Sequence, residues 1–485
     1  MNDKLRSYDP SRRRFLGSCC AAVTATGLLS QLAQLRLMSA VANTGSPFTP
    51  SVPVTAGAPQ SDYKALVCLF LAGGNDANNV VVPIDNPTYA QYAAGRGALA
   101  IPQADLLPLG GTTADGRRFG LHPAMSGLKS LYDEGKVALL GNVGTLVYPT
   151  TKAQYSARSV PLPPALFSHN DQQIEWQSSV PDKGFTSGWG GRVADLTQAL
   201  NENNRVSMAI TVAGQNFFQV GRTVSQYAVG TNSVPALTGS GTGTSVNGVR
   251  TAALTDLLTA QNKNLFETAF AGLTKEAIDD SAYLASVVTG TSPFQAAFAN
   301  VNTNLSQQLH MIARLINVQQ QLGLKRQVFF ARIGGWDLHD NQLNLGQRSS
   351  GAHATLLGDV SRSLSAFYAA LGTISAQNQV TTFTASDFGR TFDTNGDGSD
   401  HAWGSHHIVV GGAVRGGNIY GTMPDFTIRG PDDAGSRGLW IPTTSVDEYS
   451  ATLAKWFGVS ATDMPTVFPN LGRFAKPDLG FMATA

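Results

Sequence analysis

Residues 64–72 (KALVCLFLA) are apolar at almost every position. A strand with one face in water alternates apolar and polar residues, whereas a strand buried on both faces is apolar throughout. The run therefore predicts a central strand of a mostly parallel sheet. It ends in a tight turn at residues 73–76 (GGND), which places polar side chains at the carboxyl edge of the sheet. Ligands of open α/β sheets bind at that edge.

Further strand and helix patterns alternate along the chain. Strands are predicted at residues 136–143, 326–332, 380–385 and 408–414, and helices at residues 252–276, 293–322, 350–376 and 446–457. Strands separated by long helices predict an α/β fold, here a three-layer α/β/α sandwich around a mostly parallel central sheet. We expect a single domain at residues 63–485. A segment near residues 225–250 is rich in Gly, Ser and Thr, and we interpret it as an insertion.

The first 42 residues have the pattern of an export signal. Residues 11–16 (SRRRFL) fit the twin-arginine motif, an apolar stretch follows, and residues 40–42 (AVA) provide a small-residue cleavage site. Residues 43–62, rich in Pro, Ser, Thr and Gly, predict a flexible linker. We therefore expect transport by the twin-arginine translocation machinery, cleavage after Ala42, and a periplasmic or extracellular mature protein.

Charge and cysteine content narrow the function classes of the mature chain. The leader carries six basic and two acidic residues, so its removal changes the net charge from +1 to −3. No basic field for nucleic acid remains, and no further stretch of the sequence predicts a membrane span. Of the three cysteines only Cys68 lies beyond the leader, so no internal disulfide is expected.

Residues 387–407 (DFGRTFDTNGDGSDHAWGSHH) concentrate the metal-ligand residue types of the chain. They hold three of its eight histidines although only 14% of all residues are charged. Imidazole and carboxylate groups together are typical of a metal site. The candidate ligands are Asp400, His401, His406 and His407. His407 begins an apolar strand, and that position is equally compatible with a side chain in the core.

Two other predicted strands also end in candidate ligands. Asp76 follows the first strand, and Asp337 and His339 follow the strand at 326–332. Because the carboxyl ends of parallel strands share one edge of the sheet, these groups are expected to meet the 387–407 segment there. Each has an alternative explanation, since Asp76 is compatible with bonds to turn amides and Asp337-x-His339 with a surface turn. The set predicts one or two divalent ions, with Zn, Mn, Mg and Ca all compatible.

Three motifs together resemble a known family. They are residues 71–76 (LAGGND), 335–342 (GWDLHDNQ) and 386–391 (SDFGRT), followed by Asp400-His401 and His406-His407. They are similar to the family of domain of unknown function 1501, whose proteins typically carry a twin-arginine leader. That family resembles the alkaline phosphatase and sulfatase superfamily, which implies an alkaline phosphatase-like fold.

The resemblance implies a role for each candidate. Asp76, Asp337, His339, Asp400, His401 and one of His406 or His407 would bind metal, and Ser168 would be the hydroxyl nucleophile. The superfamily's Asp/His pair is usually four residues apart, whereas Asp337 and His339 are two apart.

The sequence predicts an exported metal-dependent hydrolase that acts on a small-molecule or polymer ester of phosphate or sulfate. Arg390 is the candidate clamp for two ester oxygens, because a guanidinium group binds such anions in bidentate fashion. The alternative is a non-catalytic exported protein that keeps the fold and binds a surface polymer or a partner protein. A metal-dependent oxidoreductase has little support from the residues.

Overall fold

The computed structural model describes residues 62–483, apart from 185, 238, 261–263 and 345. The predicted export signal and all but the last residue of the predicted linker lie outside these residues. By its internal contacts the chain divides into two units. The described part of one is residues 236–280, and that of the other is residues 62–235 and 281–483. Among the described residues, none of the helices combines the length and apolar character that crossing a membrane requires.

The larger unit contains a nine-stranded sheet and a separate three-stranded sheet. The strands, in chain order, are β1 (Lys64–Leu71), β2 (Val81–Pro83), β3 (Leu107–Pro108), β4 (Phe119–Leu121), β5 (Val137–Gly144), β6 (Ala209–Thr211), β7 (Tyr227–Ala228), β8 (Arg326–Ile333), β9 (Val380–Ser386), β10 (Ser405–Gly411), β11 (Asn418–Gly421) and β12 (Thr444–Ser445). The large sheet has the order β11-β5-β10-β9-β1-β8-β6-β7, with β12 also paired to β5, and the small sheet has the order β2-β4-β3.

The described residues also form a set of helices. They are α1 (Asn86–Arg96), α2 (Ser126–Asp133), α3 (Lys152–Ala157), α4 (His169–Ser178), α5 (Trp189–Thr197), α6 (Val246–Thr259), α7 (Leu265–Val288), α8 (Gln295–Phe298), α9 (Asn304–Asn317), α10 (Ala352–Thr373), α11 (Val446–Phe457) and α12 (Met464–Val467). Helices α2, α8, α9 and α10 pack together as one group, and α4, α5, α11 and α12 as another. Both groups contact the sheet, whose central strands β1, β9 and β10 are buried almost throughout.

The predicted three-layer α/β fold with a mostly parallel sheet is confirmed. Every residue of β1 after Lys64 is buried, as its apolar composition requires. Strand β1 pairs in parallel with both β8 and β9, and Leu71 lies opposite Ile333 and Ser386. The carboxyl ends of these three strands are therefore level with one another at one edge of the sheet.

Two predicted helices are divided in the structure. The pattern at 293–322 becomes α8 and α9, because Thr303 caps α9 through a reciprocal capping box and so starts a new helix. The pattern at 252–276 becomes parts of α6 and α7. Residues 261–264 (QNKN) have no apolar side chain, so the sequence did contain a sign of the interruption between α6 and α7 that the prediction of one helix overlooked.

Strand β10 is antiparallel to both of its neighbours, β9 and β5, whereas the other pairings of the large sheet are parallel. The strand predicted at 408–414 is observed at Ser405–Gly411, so it begins three residues earlier than predicted. Because β9 ends at the carboxyl edge of the sheet and β10 starts there, the connecting residues 387–404 remain at that edge. The strand direction thus brings the His- and Asp-rich segment to the ends of β1 and β8.

Candidate metal centre

The turn after β1 allows two other loops to approach closely. Gly73 has φ +123°, and a Cβ there would lie 2.5 Å from the backbone nitrogen of Asp337. Gly74 has φ +82°, and a Cβ there would lie 2.5 Å from the ring of Phe388. Both positions therefore require glycine, for conformation and for space. The Gly73 N–H donates to Asp387 Oδ1 at 3.1 Å, which ties the loop after β9 to this turn.

Three imidazole rings surround the Asp337 carboxylate. The Nε2 atom of His401 lies 3.1 Å from Asp337 Oδ1, and that of His339 also lies 3.1 Å from Oδ1. The Nε2 atom of His169 lies 3.4 Å from Asp337 Oδ2. One ligand atom from each of His169, Asp337 and His401 lies within 4.8 Å of the other two. These three residues form the core of the candidate metal centre.

The second nitrogen of each ring is held by an acceptor. His169 Nδ1 lies 2.6 Å from Asp387 Oδ2, His401 Nδ1 lies 2.8 Å from the carbonyl oxygen of Phe167, and His339 Nδ1 lies 2.9 Å from Asp400 Oδ1. These oxygens only accept, and in each ring Nδ1 lies closer to its acceptor than Nε2 lies to Asp337, so the proton of the neutral ring is assigned to Nδ1. Each Nε2 then presents a lone pair, which is the tautomer that metal-binding histidines adopt.

These lone pairs lie closer together than neutral groups tolerate. The Nε2 atoms of His339 and His401 are 3.0 Å apart, and both face Asp337 Oδ1. Three acceptor atoms at this separation repel one another unless a proton or a metal cation lies among them. The donor set, imidazole nitrogen with one carboxylate, suits zinc, manganese or iron(II). The residues present therefore fit a divalent metal.

Neighbouring side chains keep Asp337 and Asp400 ionised. Burial alone raises the pKa of Asp337, but the hydrogen bond and the positive charge of Arg390 help to bring it below its usual value. Burial likewise opposes ionisation of Asp400, yet its ion pair with Arg437 lowers the pKa to about 2. For His401, burial lowers the pKa of the ring. All three effects favour the ionised carboxylates and neutral imidazole that bind metal.

Asp76, predicted as a ligand, is not brought into this centre. Its carboxylate forms a buried ion pair with Arg96 and accepts hydrogen bonds from Gln342 and from Asn78. Burial raises the pKa of Asp76, but the charge of Arg96, together with smaller contributions from His353, Gln342 and Asn78, outweighs this effect and the net shift is downward. The carboxylate is thereby satisfied inside the protein, and it holds the turn after β1 against the rest of the site.

His406 and His407 also lie outside the centre, because both are buried within β10. His406 Nδ1 accepts the backbone N–H of Asn142 at 2.9 Å, and the His407 ring packs against Trp176 with centroids 4.6 Å apart. Burial lowers the pKa of each ring to about 3, so both remain neutral in the folded protein. The core position that the sequence left open for His407 is the observed one.

The two residues predicted to act on substrate differ in their access to solvent. The Arg390 side chain is 1% exposed, and it donates to Asp337 Oδ1 at 2.8 Å and to the Ser399 carbonyl oxygen. It orients Asp337 rather than opening toward an ester. Ser168 is half-buried at the N-cap of α4, directly before His169, and its hydroxyl makes no capping hydrogen bond.

Sequence reasoning missed His169, and for Asp387 it left two alternatives open, a residue that supports a metal ligand or one that faces the substrate. His169 is the first residue of α4, and its signal was weak because a single histidine at a helix start has no partner nearby in sequence. Asp387 accepts from Gly73, Gln173 and His169, which identifies it as the group that orients the His169 ring. Its place directly after β9 was the available clue.

Solved structures give weak likenesses to this fold. One is the sulfatase PsFucS1 from Pseudoalteromonas sp., at 11% identity and TM-score 0.33, covering 82% of this chain and 68% of that chain. Another is Ps i-CgsB in complex with k-i-k-neocarrahexaose, at 10% identity and TM-score 0.33, covering 85% and 77% respectively. A mutant of the alkaline phosphatase PafA has 13% identity and TM-score 0.26, covering 70% and 64%. At these low TM-scores the likenesses assign no activity or substrate to this chain.

Family membership has stronger support than the structural likenesses. No curated protein is similar enough to this sequence to count as a match. The sequence profile described as "Protein of unknown function (DUF1501)" matches residues 63–434, which is most of the chain and includes the whole candidate metal centre. The chain therefore belongs to the DUF1501 family.

Proposed function

We propose that this protein is an exported, metal-dependent hydrolase of a phosphate or sulfate ester, with a divalent metal held by His169, Asp337 and His401. The observation that carries the proposal is the convergence of imidazole Nε2 atoms on Asp337, with each Nδ1 held by an acceptor. Such supporting acceptors fix the ring orientation and the tautomer that a metal needs. His339, held by Asp400, is a further candidate ligand or proton carrier.

The residues beside the centre suit ester hydrolysis. A divalent metal bound there supplies positive charge that polarises an ester oxygen and favours an ionised hydroxyl. Ser168 places a hydroxyl next to His169 in sequence, at the N-terminus of the ten-residue helix α4. Free backbone N–H groups in the first turn of that helix favour an anionic group. Arg390 keeps Asp337 oriented and ionised, which preserves the charge of the site.

Export is part of the same proposal and rests on the leader sequence. The twin-arginine motif, the apolar stretch and the cleavage site occur in the order that export requires. This route carries folded proteins, which is compatible with a metal inserted before transport. Fractionation of cells that express the full chain tests it, with Arg12→Lys/Arg13→Lys as the variant. Retention of this variant in the cytoplasm is expected, and unchanged export would contradict the proposed route.

The hydrolase is tested by metal analysis and by turnover of the mature protein. We expect about one equivalent of metal and hydrolysis of an aryl phosphate or aryl sulfate in the presence of zinc or manganese. His401→Ala should lose both. His310→Ala is the matched control, since His310 bonds Ser292 and lies outside the centre. Absence of bound metal together with absence of turnover in every metal would refute the proposal.

A non-catalytic exported binding protein is the second candidate, and one observation favours it. Arg390, the predicted ester clamp, is committed to Asp337 and Ser399, so the predicted anion clamp is not available to a substrate. This candidate predicts that the metal binds and that His401→Ala releases it, while no ester is hydrolysed in either form. Retained metal without turnover therefore separates it from the hydrolase.

A further inference from the structure

A groove of about 270 Å³, lined by six polar and four apolar residues, lies beside the metal centre and has no role in the proposed chemistry. We call it the amide groove. Its polar lining residues are Asn170, Gln173, Gln177, Gln215, Asn216 and Arg332. Gln173 connects the groove to the centre, since its Nε2 donates to Asp387 Oδ2 at 2.8 Å and Asp387 holds His169. A molecule bound in the groove would therefore lie next to Gln173, which is linked through Asp387 to His169 of the metal centre.

The walls of the amide groove are held in place by hydrogen bonds between side-chain amides and the backbone. Gln308 accepts the N–H of Arg332 and donates to its carbonyl oxygen, both at 2.9 Å, which clamps the end of β8. The side-chain oxygen of Gln177 accepts the backbone N–H groups of Phe217 and Phe218, which joins the opposite loop to α4. The groove is therefore formed by the fold before any ligand arrives, which reduces the entropic cost of binding.

Several polar groups in the groove are free to bind a ligand. Within the described part of the chain, the exposed guanidinium group of Arg332 has no hydrogen bond or ion pair. The exposed amides of Asn170 and Gln215 also make no side-chain hydrogen bonds to other described residues. Gln173 uses one N–H for Asp387 and keeps its oxygen and second N–H. The lining thus offers one unpaired positive charge and several amide donors and acceptors.

These groups define the chemistry of the ligand. Amide side chains both donate and accept, which matches hydroxyl groups, and an unpaired guanidinium matches a carboxylate or sulfate through bidentate hydrogen bonds. No carboxylate is among the lining residues. The volume is slightly below the roughly 300 Å³ lower bound of pockets for drug-sized ligands, which suits one sugar ring.

We propose that the amide groove binds one anionic sugar unit, with Arg332 paired to its acidic group and Asn170, Gln173 and Gln215 bonded to its hydroxyls. That this unit is part of the ester substrate rests on the proposed function. The binding itself does not, because the groove contains none of the candidate metal ligands.

The experiment measures binding of glucuronate, glucose 6-sulfate and glucose to the mature protein by calorimetry or ligand-detected NMR, without added metal. We expect at least one of the two anions to bind and neutral glucose to bind at least about tenfold more weakly. Arg332→Gln should remove this preference, whereas Arg118→Gln, an exposed arginine outside the groove, should keep it. If only one anion binds, that result identifies the acidic group.

A second variant keeps the test valid if Arg332→Gln does not fold. Gln215→Ala removes an exposed amide and should weaken anion binding a few-fold. The proposal is overturned if neither anion binds, if glucose binds as tightly as the anions, or if both variants bind like wild type. His401→Ala should retain sugar binding. If the wild-type protein binds the anionic sugar but hydrolyses no ester in any metal, that result counts against the hydrolase alone, whereas turnover without any preference for the anionic sugar counts against the groove alone.

Discussion

Replacing Asp387 by Asn tests whether the His169 tautomer controls metal binding. Asp387 Oδ1 accepts the Gly73 N–H at 3.1 Å, which keeps the carbonyl oxygen of the asparagine on that side. The new amide nitrogen therefore faces His169 Nδ1, which now lies 2.6 Å from Asp387 Oδ2. Since an amide nitrogen only donates, the ring must accept through Nδ1 and carry its proton on Nε2. That tautomer cannot bind a metal through Nε2.

The expected size of the effect follows from the supporting role of Asp387. Loss of a group that orients a metal-binding histidine typically lowers metal affinity about 10- to 100-fold, or about 1.4–2.8 kcal/mol. The substitution preserves shape, and Gln173 can rotate its amide so that its oxygen accepts a hydrogen bond from the new Nδ2. We therefore expect the metal-free protein to keep its fold and most of its thermal stability.

The assay is competitive zinc titration of the metal-free mature protein, with thermal denaturation as the check on folding. Asp393→Asn is the matched control, because Asp393 lies in the same loop, is partly exposed and contacts Arg437 at 3.7 Å. We expect wild-type zinc affinity in the control and the 10- to 100-fold loss in Asp387→Asn. Equal affinities in the two variants would refute the tautomer argument and the assignment of His169 as a ligand.

Three further predictions concern stability and the separation of structural from metal-binding residues. Gly396→Ala should lower the free energy of unfolding by about 1–3 kcal/mol, because Gly396 has a positive φ. Gly73→Ala should lower it by more, because Gly73 has a positive φ and its Cβ would also lie 2.5 Å from a backbone atom. Equal losses in urea denaturation would contradict this. Burial raises the pKa of Asp447 from 3.8 to about 8. The folded carboxyl therefore keeps its proton between these values while the unfolded one releases it, so wild-type stability from this group falls as pH rises from about 4 to 8. Asp447→Asn should remove that slope, and a constant stability difference between variant and wild type at pH 5 and pH 8 would argue against it. His406→Ala should retain metal but lose about 1–3 kcal/mol of stability, because the buried backbone N–H of Asn142 is left without an acceptor. His401→Ala should instead lose metal. Elemental analysis and urea denaturation distinguish the two variants, and metal loss in His406→Ala would contradict its structural role.

The sequence predicted the central strands of the sheet well because the local composition of a strand reflects whether its faces are buried. The uniform apolar run of β1 and the helix pattern at 446–457, which coincides with α11, depend on neighbouring residues only. Four of the predicted candidates, Asp337, His339, Asp400 and His401, lie in contact with one another in the structure, and each follows a predicted strand or lies in the 387–407 segment. His169 was missed because nothing within α4 indicates a ligand, and the partners of that ring come from distant loops.

By itself, the sequence determined that polar residues gather where strands end, since apolar runs define the strands and the glycines after β1 define the turn. Only the tertiary structure decided which of these residues meet. His406 and His407 lie within β10 and are buried in the sheet layers, whereas His401 precedes the strand and stays at the edge. Asp76 lies outside the centre because its carboxylate forms a buried ion pair with Arg96, and the position of Arg96 depends on how helix α1 packs. Ligand identity depends on side-chain direction and on long-range partners, and neither is encoded by the spacing of residues along the chain.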